Sequence, residues 1–370
     1  MKILIIGPAH PLRGGIANFT ERLASAFQEE GDHVQLLSFS LQYPSFLFPG
    51  KTQYTSAPKP DLPIHTRINA INPFNWIRNG WNIRKQKYDL IVVMYWQPFM
   101  APCLGTIGRI AGKNAFRIAL LHNMIPHEPH FFDRMFSRYF VKSMDGFLAL
   151  SKAVLEDLGK FDNEKPRDWN PHPIYDVFGN KWEKTDARRK LGLDPGRPVI
   201  LFFGFIRKYK GLDLLLMALD DEGIRRKNIQ VVVAGEFYDD PGEYMQIIKS
   251  HKLENVIFKS EFIADEHVPL YFSACDIVVQ PYRTATQSGV TQIAYHFEKP
   301  MLVTDVGGLS EIVPHNKAGY VLQPNPSEIT AAINDFYEQH REPEMIEHVR
   351  HEKDKYSWDK LVGKIKKLIS

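Results

Sequence analysis

Cysteine is scarce in this chain, and long apolar runs are missing. Only Cys103 and Cys275 occur among 370 residues, far apart and in apolar surroundings. No disulfide framework or zinc ligand set follows from them, and buried thiols in a cytoplasmic compartment are the expectation. No stretch reaches the roughly 18 apolar residues of a membrane-spanning helix, and MKILIIGPAH turns to glycine and proline too early for a signal peptide. One-sided charge is missing too: 46 Lys+Arg against 43 Asp+Glu leave +3, so no nucleic-acid partner is expected. The glycine turn after the first apolar run lacks the GxGxxG spacing of a dinucleotide fingerprint.

What is present fits a folded α/β protein. With 44% hydrophobic and 24% charged residues the chain is not a disordered one, and its length suffices for two domains with separate cores. The charge is unevenly spread: residues 1–165 carry 19 Lys+Arg and 13 Asp+Glu, the remainder 27 and 30. A basic first half suits an anionic partner. Between Thr66 and Arg117 there are eight Lys+Arg and only Asp89 to oppose them. Over Ile68–Lys87, aromatic and aliphatic residues (Phe74, Trp76, Ile77, Trp81, Ile83) interleave with Arg78, Arg84, Lys85 and Lys87. Such a helical surface suits contact with anionic lipid headgroups at the inner face of a membrane; a core-facing helix with solvated cations is the plainer alternative.

Short apolar runs ending at glycine, proline or a polar residue alternate with helical periodicity, the pattern of parallel strands and crossover helices. Lys2–Ile6 leads to Gly14 and Gly15 and a helix over Ile16–Glu29, a turn able to face an anion or simply to be tight. Phe116–Leu121 ends directly at His122, placing that imidazole where parallel sheets bind ligands, unless it is a structural histidine. His127 and Glu128 follow as weaker candidates; with His130 their spacing fits no common zinc signature, and no metal is expected. Gln42–Pro63 lacks any period and reads as an insertion loop.

Residues 166–195, dense in proline and aromatics, read as a linker. After it the pattern resumes. Val199–Phe203 ends at GFIRKYKG, where Arg207 and Lys210 beside glycine and a helix start suit a diphosphate, a solvated basic turn being the plainer alternative. Val231–Ala234 ends at Gly235 and Glu236, the latter an acceptor for a ribose or base edge or simply an exposed residue, and Phe262 with Ile263 offers an apolar wall for a nucleobase. The stretch QPYRTATQSGVTQIAYHFEKPMLVTDVGGLSEIV, from Gln280, joins a strand end to a turn at Ser288 and Gly289 that presents backbone amides at a helix start, an anion-binding arrangement.

Taken in order, Gly14–Gly15, His122, GFIRKYKG, AGE and TQSGVTQIAYHFEKPMLVTDVGGLSEIV resemble the family 4 retaining glycosyltransferases (glycosyl transferases group 1) of the GT-B fold. The resemblance implies an α/β architecture of two Rossmann-like domains facing across a cleft. The first, acceptor-side domain spans residues 1–165 and the nucleotide-sugar-binding domain 196–355, with a C-terminal helix in 356–370 packing back on the first. The implied activity is retaining, metal-independent sugar transfer from a UDP- or GDP-sugar to a lipid-linked or glycan acceptor, with no cofactor. Residue by residue, it implies that Gly14, Gly15, Ser288 and Gly289 offer amides to the diphosphate, Arg207 and Lys210 neutralise it, and His122 faces the donor sugar. Glu236, Phe262 and Ile263 would lie by the nucleoside.

The chain departs from the family in two places. The usual pair of glutamates falls near Ala285 and Ile293, neither acidic; Gln287 and Gln292 stand close by as uncharged hydrogen-bonding substitutes. Phe205 stands where an arginine usually follows the loop glycine. A sugar-nucleotide epimerase of the same fold, or a non-catalytic nucleotide-sugar-binding relative, are the alternatives.

Overall fold

The computed structural model describes residues 1–44, 52–55, 57–112, 114–126, 131–285 and 288–369. The chain divides into two compact units, Met1–His172 with Ser357–Ser370, and Pro173–Tyr356.

The first unit runs β1 (Lys2–Ile6), α1 (Gly15–Glu29), β2 (His33–Leu41), β3 (Ile64–Asn69), α2 (Pro73–Gln86), β4 (Leu90–Tyr95), α3 (Ala101–Ala111), β5 (Phe116–Leu121), α4 (Asp133–Val141), β6 (Gly146–Ala149), α5 (Lys152–Leu158) and β7 (Arg167–Trp169). Its sheet is parallel, in the order β3-β2-β1-β4-β5-β6-β7 among the described residues. LIVVMY of β4 is buried along its whole length, as a strand covered by helices on both faces must be. In α1, Phe19, Leu23, Ala26 and Phe27 recur at helical spacing and are buried.

Ile68–Lys87, expected as one helical surface, is instead two elements. Ile68 and Asn69 close β3, whose IHTRIN sequence alternates too weakly to announce a strand. The helix starts only at Pro73, because the residue before a proline is held out of the α region. Asn72 takes that place in extended conformation and its side chain accepts from the amides of Phe74 and Asn75. The expected loop Gln42–Pro63 lies partly outside the described residues.

The second unit runs α6 (Lys184–Leu191), β8 (Val199–Phe203), α7 (Leu212–Ala218), α8 (Glu222–Arg226), β9 (Gln230–Ala234), α9 (Gly242–Ser250), β10 (Val256–Lys259), α10 (Val268–Ala274), β11 (Ile277–Gln280), α11 (Gly289–His296), β12 (Met301–Thr304), α12 (Leu309–Ile312), β13 (Gly319–Leu322), α13 (Pro326–Glu338) and α14 (Glu342–Lys353). Its parallel sheet has the order β10-β9-β8-β11-β12-β13 among the described residues. Asp276, buried just ahead of β11, ties this sheet's lower edge to α6. One of its oxygens accepts from Arg188 at 2.7 Å and the other from the Val199 amide at 2.7 Å.

Much of the stretch expected as a linker, 166–195, therefore belongs to the units: 167–169 pair with β6 as the last strand of the first sheet, and 184–191 form α6. Three residues, RDW, are too few to carry a strand signal. After Tyr356 the chain rejoins the first unit. There α15 (Trp358–Lys367) buries Trp358, Leu361, Val362 and Ile365. The Trp358 ring lies 4.9 Å from Phe19 and under the Arg22 guanidinium at 5.3 Å, and Lys366 pairs with Glu30 at 2.6 Å and Asp32 at 2.7 Å.

Trp358→Ala is expected to cost the first unit about 3–5 kcal/mol, the usual range for truncating a buried large aromatic. Denaturant unfolding followed by near-UV circular dichroism measures it, and a loss under about 1 kcal/mol would mean that α15 is not part of that core.

Candidate active site

A parallel sheet offers ligands a crevice at the carboxyl ends of its strands, where the strand order reverses. In the second sheet the chain leaves β8 to one side through β9 and β10 and returns on the other as β11, so the reversal lies between β8 and β11. The segment after β8 carries Arg207 and Lys210, and the one after β11 carries Ser288, Gly289 and Gln292.

Two glycines let backbones meet there. A Cβ on Gly235, whose φ is 150°, would lie 2.0 Å from the Gly204 carbonyl oxygen. The ends of β8 and β9 therefore touch through their main chains. Gly204 itself has φ 97°, and a Cβ on it would come within 2.9 Å of the Lys210 Nζ and 3.6 Å of Val290 in the first turn of α11. The bare Cα of Gly204 is thus the floor on which the Lys210 ammonium rests, close to the start of α11.

Lys210 is only 8% exposed. No side chain among the described residues hydrogen-bonds its Nζ, which lies 5.4 Å from the centre of the Tyr282 ring. Burial, reinforced by the Arg207 charge, holds its pKa below the ordinary lysine value. Arg207 sits half-buried with its guanidinium 5.0 Å from the Tyr238 ring centre. A buried cation lacking a carboxylate is costly until an anion arrives.

The loop carrying these cations is pinned. Arg283 donates to both oxygens of Asp213 on α7, at 2.7 and 2.6 Å, and to the Lys208 carbonyl, while its amide donates to the Tyr209 carbonyl at 2.7 Å. The Asp213 hydrogen bonds raise the Arg283 pKa. Asp213 and Arg283 are 70 residues apart in sequence, so no local pattern pointed to this clamp.

At α11 the Ser288 hydroxyl donates to Gln280 Oε1 at 2.8 Å, joined by Thr291 Oγ1 at 3.1 Å. It is thereby taken away from capping, and α11 starts without a side-chain cap. The first-turn amides, from Gly289 onward, then suit an anion better than a side chain. Gly289 packs against Tyr175: a Cβ there would lie 2.9 Å from Cε2. Burial pushes the Tyr282 hydroxyl, 3.4 Å from Ser288 Oγ, up to about 12. Gln292 is fully buried, and neither of its amide atoms has a partner among the described residues. Gln287 lies outside the described residues, as do His127, Glu128 and His130.

Glu236 is buried, and its carbonyl accepts from the Ile206 amide at 2.9 Å. Phe262 is half-buried and Ile263 buried. Phe205 joins them: its ring lies 4.4 Å from Tyr238 and 6.5 Å from Phe262. The residue standing in place of an arginine is thus part of an aromatic wall beside Arg207, and Tyr238 is a member that the sequence pattern did not single out.

In the first sheet the order reverses between β1 and β4. Gly14, with φ 115° and open space beside its Cα, precedes α1, which also starts without a side-chain cap; Gly15 is its first residue. His122 follows β5. Its ring is packed edge-on to Phe19 at 4.8 Å and faces His172 at 6.3 Å. Burial, then the neighbouring His172 charge, pushes its pKa down to about 3. At neutral pH His122 therefore offers an uncharged imidazole. Among the described residues no group of three His, Cys, Asp or Glu side chains is placed to hold a metal ion, and no helix is long and apolar enough to cross a membrane.

Comparison with known proteins bears on the family and the fold. Residues 183–353 match the family of glycosyl transferases group 1, and residues 13–169 match glycosyltransferase family 4. The chain is 30% identical over 197 residues to an uncharacterized glycosyltransferase of Methanocaldococcus jannaschii, covering 50% of this chain and 48% of that protein. It is 27% identical over 186 residues to the lipopolysaccharide core biosynthesis mannosyltransferase LpsB of Rhizobium meliloti, covering 48% and 50%. The chain thus spans about half the length of these curated relatives. Among solved structures, sucrose-phosphate synthase from Thermosynechococcus elongatus aligns with a TM-score of 0.76 at 16% identity, over 99% of this chain and 98% of that one. HepE from Anabaena in complex with UDP and glucose aligns with a TM-score of 0.74 at 17% identity, over 99% of both chains.

The buried imidazole has a consequence for stability. His122 titrates near 6.5 when unfolded and near 3 when folded, so below pH 6.5 the unfolded chain takes up a proton that the folded one refuses. Stability falls at about 1.4 kcal/mol per pH unit, or about 2 kcal/mol at pH 5. His122→Gln should remove that part of the acid sensitivity in urea unfolding at pH 7 and pH 5. Identical slopes for the two proteins would show that the imidazole is not buried in its neutral form.

Proposed function

This chain belongs to the group 1, family 4 glycosyltransferases and has their two-domain α/β GT-B fold, and we propose that it moves a sugar from a nucleoside-diphosphate sugar to an acceptor hydroxyl with retention at the anomeric carbon. The observation that carries the reading is the Lys210 ammonium, buried on Gly204 beside the start of α11 without a carboxylate among the described residues. A diphosphate supplies the missing charge.

In this reading the diphosphate of a UDP- or GDP-sugar lies between Lys210, Arg207 and the amides at Ser288 and Gly289. The Phe205–Tyr238–Phe262 wall with Ile263 and Glu236 meets the nucleoside. Gln292 and Gln287 serve hydroxyls where the family uses glutamate. The bond from the anomeric carbon to the β-phosphate oxygen breaks, and the acceptor oxygen bonds to that carbon on the same face. The acceptor proton passes to the departing phosphate. Negative charge grows on the phosphate in the transition state, and fixed cations count most there.

With two cations meeting the leaving group, turnover needs no divalent metal. The mannosyltransferase LpsB acts in lipopolysaccharide core biosynthesis, and a glycan or lipid-linked acceptor in surface polysaccharide assembly fits that likeness.

Lys210→Ala should lower transfer by about 10²–10³-fold, the usual cost of one preorganised charge-stabilising group, while leaving the thermal midpoint nearly unchanged. Transfer measured across a panel of UDP- and GDP-sugars decides it; retained turnover would discredit the diphosphate assignment, and nucleotide binding without turnover on any donor would favour a non-catalytic role. Proton NMR of the product's anomeric centre tests retention, and activity lost in chelator and restored by manganese would refute the metal-free step.

Because the free enzyme holds the Lys210 pKa low, nucleotide affinity is expected to weaken as pH rises through a midpoint below 10.5, with a proton taken up on binding above it. Calorimetry of UDP or GDP in buffers of different ionisation enthalpy reads that proton; its absence in wild type would remove Lys210 from the phosphate.

A further inference from the structure

On the first unit, α2 carries two apolar stripes and buries only one, and α4 with the residue before it leaves large apolar side chains outside the core. In α2 the core takes Trp76 and Ile83, with Asn79 and Gly80 between them. Phe74, Ile77 and Trp81, spaced three and four residues apart, form the other stripe and stay exposed, Phe74 at 83% and Trp81 at 49%. In α4 the core takes Ser137, Phe140 and Val141. Met135, and Phe132 just ahead of the helix, are exposed at 61% and 51%.

The two helices flank α3 on one face of the sheet. A Cβ on Gly80 of α2 would lie 2.6 Å from the side chain of Ile110 on α3. Arg109 of α3 stacks over the Tyr139 ring of α4 at 3.7 Å and donates to the Tyr139 carbonyl at 2.7 Å. The surface formed by the three helices is cationic: Arg78, Arg84, Lys85, Arg109, Arg134 and Arg138 against the single carboxylate of Asp133.

Large side chains left in water at helical spacing, rimmed by cations and nearly free of carboxylates, match a bilayer interface with anionic headgroups. Apolar rings enter the acyl boundary and arginines meet phosphates. A protein partner of ordinary composition would not need charge of one sign around the whole rim. We propose that the α2–α3–α4 face of the first unit docks reversibly on an anionic lipid surface, with Phe74, Ile77, Trp81, Phe132 and Met135 as the inserted residues. The inference rests on this unit alone and stands apart from the sugar-transfer reading.

Co-sedimentation of the full chain with phosphatidylcholine vesicles, with and without phosphatidylglycerol, tests it. Binding should require the anionic lipid and fall with salt. Arg78→Gln with Arg138→Gln should weaken it about thirty-fold, at about 1 kcal/mol per cation near such a surface. Phe74→Ser with Trp81→Ser should weaken it at least about ten-fold, several buried methylene equivalents being lost. All four side chains are exposed, so nucleotide affinity and thermal midpoint should be unchanged in these variants and report separately on folding and on the donor site. Equal binding to both vesicle types, no binding, or variants that bind like wild type would overturn the proposal. So would self-association in sedimentation velocity that the Phe74→Ser, Trp81→Ser protein loses, since the face would then join two copies of the chain.

Discussion

The candidate site in the second unit turns on one buried charge. An ammonium removed from water without a carboxylate among the described residues is unfavourable, and the surrounding main chain is arranged to hold it there. Gly204 gives it room by having no side chain, and Gly235 lets the next strand end close on the same backbone. The Arg283–Asp213 clamp fixes the loop that delivers it. Such a site is stable enough to fold, and its remaining electrostatic cost falls only when an anion binds. That is a physical route to preorganisation: the Lys210 cation is already desolvated before an anion arrives.

The second half of the site works through donors in place of charge. Gln280 draws the Ser288 and Thr291 hydroxyls to itself. A residue of the type that normally caps a helix is thereby turned inward, and the amides of α11 are left to the helix dipole. This end of the candidate site is thus neutral and rich in amides. His122 follows the same logic in the first unit. Packed against Phe19 and near His172, it stays uncharged at neutral pH.

Much of the architecture was legible because parallel strands covered on both faces must be written as short continuous apolar runs. KILII, LIVVMY, VILFF and IVVQ could be read as such, and so could the glycines that end several of them. β3 and β7 were not legible, since IHTRIN is largely polar and RDW is too short to show a period. The start of α2 was misplaced because the constraint of Pro73 on its neighbour outweighed the apolar pattern running through it. Among candidate site residues, the sequence pointed to those next to glycines or at strand ends. It gave no sign of Tyr238, Asp213 or Arg283, whose relevance comes from contacts between distant segments.

By itself, then, the sequence determined the α/β class, the two-fold repetition of strand and helix, the family, and the glycine-bearing loops at the strand ends, because these depend on local periodicity and on residues with special backbone freedom. Only the tertiary structure decided that Lys210 is buried and lacks a carboxylate among the described residues, that Ser288 is turned inward, that His122 is neutral, and that the outer stripe of α2 and Met135 of α4 remain in water. Each of these depends on what long-range packing places around a side chain, and burial and partnership, which set charge state and free surface, are not properties of a residue's neighbours in sequence.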